Sequence, residues 1–262
     1  MNKTLRKLIP SFLLPFLRKV RNMRRLYYSW KPFDHAKAQK GELESAQGFM
    51  SSDDPLLALL ERAEDLRARR LDEYLVREVP YIRDFFRDAS SYSEFCEGME
   101  DELCLEVGGG PIGALPLMPW IQKRVAIDPL LDEYRRFQME ILGKTFFTDN
   151  IGGYSQNAET LIPELKGRVT GFISCRNALD HYQNPFQVLS NIAEYAAPGC
   201  KLLLWTDLWH LDDLDAKHRN LTKDTGEFDR QLVGLGFKID HRFHDVRDGK
   251  ETLEYGCIAT RQ

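Results

Sequence analysis

Three consecutive glycines, Gly108–Gly110, constrain the fold more than any other feature of this sequence. They belong to the segment EVGGGPIG, residues 106–113, which lies between a short apolar run and a stretch of helical pattern. Glycines there allow the backbone to approach a ligand closely, and amides at the start of a helix are free to bind it. Asp128 ends the next apolar run, in VAIDP, where a carboxylate can accept hydrogen bonds from both hydroxyls of a ribose. Together these features predict a site for a cofactor that contains a nucleoside.

Short apolar runs alternate with helical stretches from residue 102 onward, which is typical of βαβ units and a parallel sheet. The predicted strands cover residues 103–107, 124–128, 145–148, 169–175 and 201–206. A helix is predicted after Asn184, which can cap it, and before Pro198-Gly199, which ends it. Its first turn holds Pro185, and its predicted buried face holds Phe186, Leu189, Ile192 and Tyr195.

Two further strand-like runs, 236–246 and 251–260, are joined around Asp248-Gly249. A parallel pair needs a crossover of a dozen or more residues, so these two runs must form an antiparallel hairpin. The sequence therefore predicts an α/β fold, a doubly wound and mostly parallel seven-stranded sheet of Rossmann-like type. The antiparallel hairpin stands at its C-terminal end, and helices precede it.

The N-terminal part of the chain differs in composition from the rest. Residues 1–33 carry nine basic residues and no acidic one, interleaved with leucines, phenylalanines, tyrosines and Trp30. This composition is typical of a basic amphipathic segment that lies on an anionic membrane surface. A helix packed on its own domain or on a second subunit of a homo-oligomer is the other interpretation, and both stay open.

Three regions are predicted along the chain. Residues 1–33 form the basic amphipathic segment, residues 34–100 a linker and accessory helices, and residues 101–262 the cofactor-binding domain. The linker is predicted over about 34–52, where polar residues show no apolar periodicity. Helices are predicted from Pro55 onward and around residues 81–86, because leucines and aromatic residues recur there at helical spacing.

Charge and cysteine content narrow the class of protein. The formal net charge is −4 over 262 residues, which argues against a nucleic-acid partner bound by neutralising phosphates over the whole surface. The five cysteines include no C-x-x-C pair, so free thiols in a reducing compartment are expected. The longest apolar stretch, residues 8–17, contains two prolines and lacks a following cleavage site. A cytoplasmic protein is therefore expected, peripheral on the inner membrane face if the N-terminal segment binds lipid.

The glycine pattern alone also permits a dinucleotide. Gly108, Gly110 and Gly113 with Asp128 satisfy the G-x-G-x-x-G fingerprint, so an NAD-dependent oxidoreductase is an alternative. Glu106 argues against it, because a carboxylate repels two phosphates and attracts an ammonium group. The terminal hairpin is also unexpected in a dinucleotide fold.

Several motifs, taken in order, resemble a known family. EVGGGPIG with VAIDP is followed by SQNAETLIP, by CRNALDHYQNPFQVLSNIAEYAAPGCKLLL and by HRNLTKDTGEFDRQLVGLGFKI. Over residues 102–260 this series resembles class I S-adenosylmethionine-dependent methyltransferases of the small-molecule and glycan type, similar to methyltransferase type 11. The resemblance implies S-adenosyl-L-methionine as cofactor and O-methylation of a small-molecule, glycan or lipid-linked acceptor. A non-catalytic binding or assembly protein with this fold is a further alternative.

The resemblance also implies roles for individual residues. Glu106 and the backbone of Gly108, Gly109 and Gly110 would hold the methionine part, and Asp128 would hold the ribose. Asn157 and Ala158 would contact the adenine, with Asn157 in a place where the family often has Asp. Arg176 and Asn177 would border the methyl group.

The acceptor side is predicted from two further stretches. Asp180 and His181 follow the fourth strand, and an imidazole there could take the proton of an alcohol while the acid orients it. A purely structural pair, with His181 packed on the next helix and Asp180 capping it, is the alternative. Some similar proteins hold a divalent metal at these positions, but Asn177 replaces the first carboxylate, so no metal is predicted. The lid around residues 207–224, with Trp205 and Trp209, is predicted to suit a sugar.

Overall fold

A computed structural model describes the chain over residues 34–52, 82, 85–86, 89–118, 120–145, 151–210, 218–222, 224–246 and 252–262. The basic segment 1–33 and the helix predicted from Pro55 onward lie outside the described residues. Within those ranges, no helix combines the length and the apolar content needed to cross a bilayer.

Seven strands form one sheet in the order β3-β2-β1-β4-β5-β7-β6. The strands are β1 Leu103–Val107, β2 Lys123–Ile127, β3 Ile151–Tyr154, β4 Phe172–Arg176, β5 Lys201–His210, β6 Phe237–Val246 and β7 Thr252–Arg261. Strands β1 to β5 pair in parallel, and β7 runs antiparallel to both β5 and β6. The predicted fold class, including the C-terminal hairpin, is confirmed.

The order of the strands creates a crevice in the sheet. The chain continues from β1 through β2 to β3 on one side, and through β4 to β5 on the other. Loops leaving the carboxyl ends of β1 and β4 therefore turn in opposite directions, and a ligand fits between them. The central strands read LCLEV and FISCR and are buried along nearly their whole length, as expected for strands covered on both faces.

One predicted strand lies almost entirely outside the described residues. The third strand was expected at residues 145–148, but β3 covers Ile151–Tyr154, and residues 146–150 lie outside the described chain. Gly152 and Gly153 are poor strand formers in general, which is why the pattern missed them. A Cβ on Gly153 would stand 2.5 Å from Leu131 Cδ2, so close packing against the neighbouring helix selects glycine here.

Five α-helices are described, and they pack on the two faces of the sheet or on each other. They are α1 His35–Met50, α2 Ala89–Cys96, α3 Leu131–Leu142, α4 Pro185–Tyr195 and α5 Thr225–Gly234. A cluster that includes Val188, Leu232 and Phe237 fills one face. A second cluster, which includes Phe86, Tyr92 and Phe172, fills the other. The core therefore lies on both sides of the strands that carry the crevice.

The polar stretch expected to be a linker is a helix instead. Asp34 caps α1 by accepting a hydrogen bond from the Lys37 amide at 3.0 Å. Its buried positions include Ala38, Ala46 and Met50, and the last two pack with Tyr134 and Phe137 of α3. Small residues in a narrow stripe bury little apolar area, so the sequence pattern did not reveal this helix.

Helix α4 is confirmed with one change of face. Asn184 accepts a hydrogen bond from the Gln187 amide at 3.3 Å, and Pro185 lies in the first turn. Leu189, Ile192 and Tyr195 are buried as predicted, but Phe186 is 41% exposed and Val188 is buried in its place. The helix ends at Tyr195, three residues before Pro198.

The close approach of β3 to α3 leads to a testable prediction. Gly153→Ala should lower the free energy of unfolding by about 1 to 3 kcal/mol, because the new Cβ overlaps a fully buried leucine. Gly152→Ala is the matched control, since its nearest neighbour would lie at 3.5 Å, and it should change stability by less than about 0.5 kcal/mol. Urea unfolding of both variants measures the difference. Equal free energies of unfolding for the two variants would contradict the prediction. They would mean that β3 and α3 accommodate a Cβ at position 153 without loss of stability.

Candidate active site

The loop after β1 crosses the crevice in a shape that depends on glycine. Gly108, Gly110 and Gly113 have φ values of 65°, 66° and 68°, a left-handed conformation that other residues rarely adopt. A Cβ on Gly108 would also overlap the Cβ of Ala178, which follows β4. The glycine loop therefore packs directly against the chain that leaves the neighbouring strand.

The helix expected after the glycine loop is only a 3-10 turn, Leu115–Leu117. Pro116 lies within that turn and Pro119 follows it, and a proline inside a helix removes a backbone donor and clashes with the preceding turn. The predicted series of amides at an α-helix N-terminus is therefore replaced by an irregular loop. Other side chains have to hold that loop in place.

Glu106 is the main support of the loop. Its side chain is buried, and its two oxygens accept hydrogen bonds from the amides of Ala114 at 2.6 Å and Leu115 at 3.2 Å. A Cβ on Gly109 would lie 2.7 Å from the Glu106 carboxyl carbon, and one on Gly113 would overlap its oxygens. Burial raises the pKa of Glu106 to about 7, although both amides oppose the shift. Two of the glycines therefore make room for a carboxylate of the protein itself.

Two side chains that the sequence reasoning missed also hold this loop. Arg124 of β2 donates a hydrogen bond to the Leu115 carbonyl at 2.9 Å, and Gln138 of α3 donates to the Pro111 carbonyl at 2.6 Å. Both are buried. The signal for Arg124 in the sequence is a basic residue in the predicted strand 124–128, whereas a glutamine in a helix is usually exposed and gives no signal.

Asp128 joins the loops that follow β1 and β2. Its Oδ2 accepts a hydrogen bond from the Gly110 amide at 3.1 Å, and its Oδ1 accepts one from the Leu130 amide at 2.8 Å. The side chain is only 6% exposed, and burial raises its pKa to about 6. Each carboxylate oxygen has more than one acceptor position, so ribose hydroxyls could still bind it.

A cleft opens at the carboxyl ends of β1, β2 and β4. Its floor includes Gly108, Gly110 and Asp128, and helix α1 lies above it with Ala38 and Glu42. The other lining residues are Gln39, Pro129, Leu130, Tyr134, Asn177, Ala178, His181 and Tyr182. Five predicted site residues are thus brought together, namely Gly108, Gly110, Asp128, Asn177 and His181. The contribution of α1 was not predicted.

Asn177 shapes the second wall of the cleft. It has a φ of 49°, which is uncommon for a residue other than glycine and is tolerated best by Asn and Asp. Its amide donates a hydrogen bond to the Trp205 carbonyl at 2.7 Å. This turn directs the chain after β4 so that Ala178 meets Gly108 and His181 reaches the cleft.

Six predicted residues are not among the lining residues of the cleft, namely Glu106, Gly109, Asn157, Ala158, Arg176 and Asp180. Asn157 Oδ1 accepts a hydrogen bond from the Glu159 amide at 2.9 Å, and the Ala158 carbonyl accepts one from Asn191 Nδ2 at 2.8 Å. Arg176 stacks on Trp205, with its guanidinium carbon 4.8 Å from the ring centroid. Adenine recognition by Asn157 and Ala158 therefore stays a prediction.

The predicted catalytic pair is part of a larger cluster. Asp180 is fully buried, and its Oδ2 lies 2.7 Å from His218 Nδ1 and 3.9 Å from His181 Nε2. The two imidazole rings meet edge to face with centroids 4.4 Å apart. On the other side, His181 Nδ1 lies 3.7 Å from Glu42 Oε1. Asp180 thus contacts His218 more closely than His181, which the sequence order could not reveal.

The lid predicted to suit a sugar is described only in part, and it stays a prediction. Trp205 is only 7% exposed and packs in the core cluster that contains Phe172 and Leu203, so its ring is not available to stack on a sugar. Residues 211–217, which include Asp212, Asp213 and Asp215 of the predicted lid, lie outside the described residues.

No protein-family model matches this chain, and no curated protein sequence matches it. Solved structures do share its fold. A protein from Galdieria sulphuraria described as a sarcosine dimethylglycine methyltransferase has a TM-score of 0.53 at 14% identity, over 74% of this chain and 86% of that one. The geranyl diphosphate C-methyltransferase of Streptomyces coelicolor A3(2) has a TM-score of 0.51 at 13% identity, over 70% and 82%. The chain therefore has the class I methyltransferase fold.

The burial of Glu106 predicts a pH effect on stability. Because its pKa is raised from 4.5 to about 7, the folded chain holds a proton that the unfolded chain releases first. The contribution of Glu106 to the free energy of unfolding is fully present below about pH 4.5 and is lost as the pH rises through about 7. The free energy of unfolding of Glu106→Gln, relative to that of wild type, should therefore rise by up to roughly 3 kcal/mol between pH 4.5 and pH 8.

Chemical unfolding of wild type and Glu106→Gln at pH 5 and pH 8 measures this gain. The control is Glu97→Gln, which removes a carboxylate from an exposed position away from the loop. A gain of the same size in the control would assign the effect to net charge rather than to the buried site. A constant difference between Glu106→Gln and wild type would contradict the raised pKa.

Proposed function

We propose that this chain is an S-adenosyl-L-methionine-dependent methyltransferase that methylates an oxygen atom of a small-molecule acceptor. The observation that carries the proposal is the Asp128 carboxylate, which stands at the carboxyl end of β2 inside the cleft and is tied to the Gly110 amide at 3.1 Å. A carboxylate at this position of a doubly wound sheet suits the two hydroxyls of a ribose.

The charge of the cleft favours this cofactor over a dinucleotide. The acidic residues among its described lining residues are Glu42 and Asp128, and no lysine or arginine is among them. Such a lining attracts the ammonium and sulfonium groups of S-adenosylmethionine and repels the diphosphate of NAD. The alternative of an NAD-dependent oxidoreductase is thereby disfavoured on electrostatic grounds as well as by sequence.

One end of the cleft suits the cofactor, and the other end suits the methyl acceptor. Tyr134 and Leu130 border Asp128 on one side, whereas Asn177, Ala178 and His181 border the glycine loop on the other. With the nucleoside beside Asp128, the methyl group would point toward the Asn177 wall. When bound, the cofactor supplies a methyl group that its sulfonium has already activated, so the protein needs mainly to align the acceptor and exclude water.

The side chains of Asp180 and His181 would act on the acceptor. An oxygen nucleophile must lose its proton on transfer, and His181 reaches the cleft while Asp180 is buried behind it. The pair can accept or stabilise that proton. A nucleic acid is a poor acceptor for a cleft with acidic lining, and burial of Trp205 removes one of the features that favoured a glycan. The proposal is therefore restricted to small-molecule acceptors.

Equilibrium titration of the purified full chain with S-adenosylmethionine and, separately, with NAD tests the cofactor. Saturable binding of S-adenosylmethionine and none of NAD is expected. Asp128→Ala should weaken S-adenosylmethionine binding by about 1.5 to 3 kcal/mol, the usual contribution of hydrogen bonds to a charged group. Asp132→Ala is the matched control, because its side chain is 69% exposed on α3. Unchanged affinity in Asp128→Ala would overturn the ribose assignment.

Turnover tests the catalytic part of the proposal with an acceptor from a panel of alcohols and phenols. His181→Ala should lower turnover by roughly 10² to 10⁴ while the affinity for S-adenosylmethionine changes little. His241→Ala in the edge strand β6 is the control and should retain wild-type turnover. Wild-type turnover in His181→Ala would assign His181 to packing. Cofactor binding without turnover on any acceptor would favour the non-catalytic alternative.

A further inference from the structure

We propose that Asp180, His181 and His218 form a binding site for one divalent transition-metal ion at the acceptor end of the cleft. Two of these residues belong to the 3-10 turn Leu179–His181, and the third comes from a separate segment that the fold brings back. The role of the ion toward the acceptor rests on the proposed function, whereas binding of the ion does not.

The spacing of the three side chains fits a metal ion. One ligand atom from each residue lies within 4.8 Å of the other two, and Asp180 Oδ2 lies 2.7 Å from His218 Nδ1 and 3.9 Å from His181 Nε2. Ligand atoms about 2.1 Å from a tetrahedral ion stand about 3.4 Å apart. The two distances from Asp180 lie on either side of that value, and no pair of the three atoms exceeds 4.8 Å, so rotation of the two imidazoles would bring the atoms toward the spacing that an ion needs.

The donor set also indicates which ions would bind. Two neutral imidazoles and one carboxylate suit Zn²⁺, Fe²⁺ and similar ions better than Mg²⁺ or Ca²⁺, which prefer oxygen ligands. Three protein ligands leave a position open, as in catalytic rather than structural zinc sites. The charge of Asp180 is fully buried, and a divalent cation is one way in which proteins balance a buried carboxylate.

Neighbouring groups orient the proposed ligands. His181 turns Nε2 toward Asp180 and Nδ1 toward Glu42 Oε1, which lies 3.7 Å away. A carboxylate behind the outer nitrogen is the usual companion of a metal-binding histidine. The Arg219 amide donates a hydrogen bond to the Asp180 carbonyl at 2.7 Å, which holds the segment of His218 against the 3-10 turn. Through Glu42, helix α1 thus helps to orient His181 in the proposed metal site.

The open position would face the acceptor. His181 lines the cleft and is 16% exposed, whereas Asp180 is fully buried, so an ion bound to His181 would lie beside the cleft. A bound ion lowers the pKa of a hydroxyl that coordinates to it. In the metal-bound form His181 is a ligand and no longer the base, so the acceptor hydroxyl would lose its proton to water, and its oxygen would form the bond to the methyl carbon. The electrons of the broken carbon–sulfur bond would stay on sulfur, which becomes a neutral thioether.

His218 changes the expectation drawn from sequence. That expectation counted Asn177, Asp180 and His181 and predicted no metal, because Asn177 stands where a carboxylate would be needed. The distance of 2.7 Å between Asp180 and His218 adds a third ligand that lies 37 positions beyond His181 in the chain. Asn177 is then not required as a ligand.

Metal titration of the full chain tests the site. After treatment with EDTA, the chain is titrated with Zn²⁺ against a chromogenic chelator, and with Co²⁺ by visible absorption. We expect one Zn²⁺ per chain and a Co²⁺ spectrum without thiolate charge-transfer bands. His218→Ala and Asp180→Asn should abolish this binding, and Glu42→Gln should weaken it 10- to 100-fold. His241→Ala is the matched control and should bind Zn²⁺ as wild type does.

Circular dichroism checks that each variant is folded, and His218→Gln replaces His218→Ala if the latter is not. Absence of a stoichiometric site in wild type, or equal Zn²⁺ affinity in wild type and the folded His218 variant, would overturn the metal proposal. Titration with S-adenosylmethionine in the same samples separates the two proposals. Loss of the metal site alone leaves the methyltransferase assignment standing, whereas a metal site in a chain that does not bind S-adenosylmethionine overturns only the function.

Discussion

The buried carboxylate of Glu106 is the interaction on which the rest of the cleft depends. Its oxygens hold the amides of Ala114 and Leu115, and the glycines at 109 and 113 leave space for it. The loop has no α-helix behind it to hold its shape, since only a 3-10 turn follows. An ion buried without such partners would be costly, so the loop and the carboxylate stabilise each other in one arrangement.

The glycine loop contacts both walls of the cleft. The Gly110 amide binds Asp128 at the end of β2, which links the cofactor side of the cleft to the loop. Gly108 touches Ala178, and the left-handed turn at Asn177 sets the position of Ala178. Asp180, the first residue of the cluster with His181 and His218, follows two residues after Ala178. Cofactor side and acceptor side are therefore parts of one packed unit, and a shift in the loop would reach both.

Sequence reasoning was most successful where a pattern follows directly from a repeating geometry. Strand β1 has the predicted bounds, the C-terminal hairpin follows from the short connection, and Asn184 caps α4 as expected. It failed where packing selects against local preference. Gly153 is unfavourable in a strand, yet β3 needs a glycine at this position beside α3. Apart from Met50, the buried residues of helix α1 are small, which gives almost no periodic signal.

The sequence by itself determined the class of fold and the position of Glu106, Asp128 and the glycine loop, because strand alternation and loop chemistry are local properties of the chain. Only the tertiary structure decided that Glu42 covers the cleft and that His218 meets Asp180. These residues come from segments far from β4 in the sequence. Their contacts depend on how α1 packs on α3 and how the chain returns after β5, and no local pattern encodes such packing.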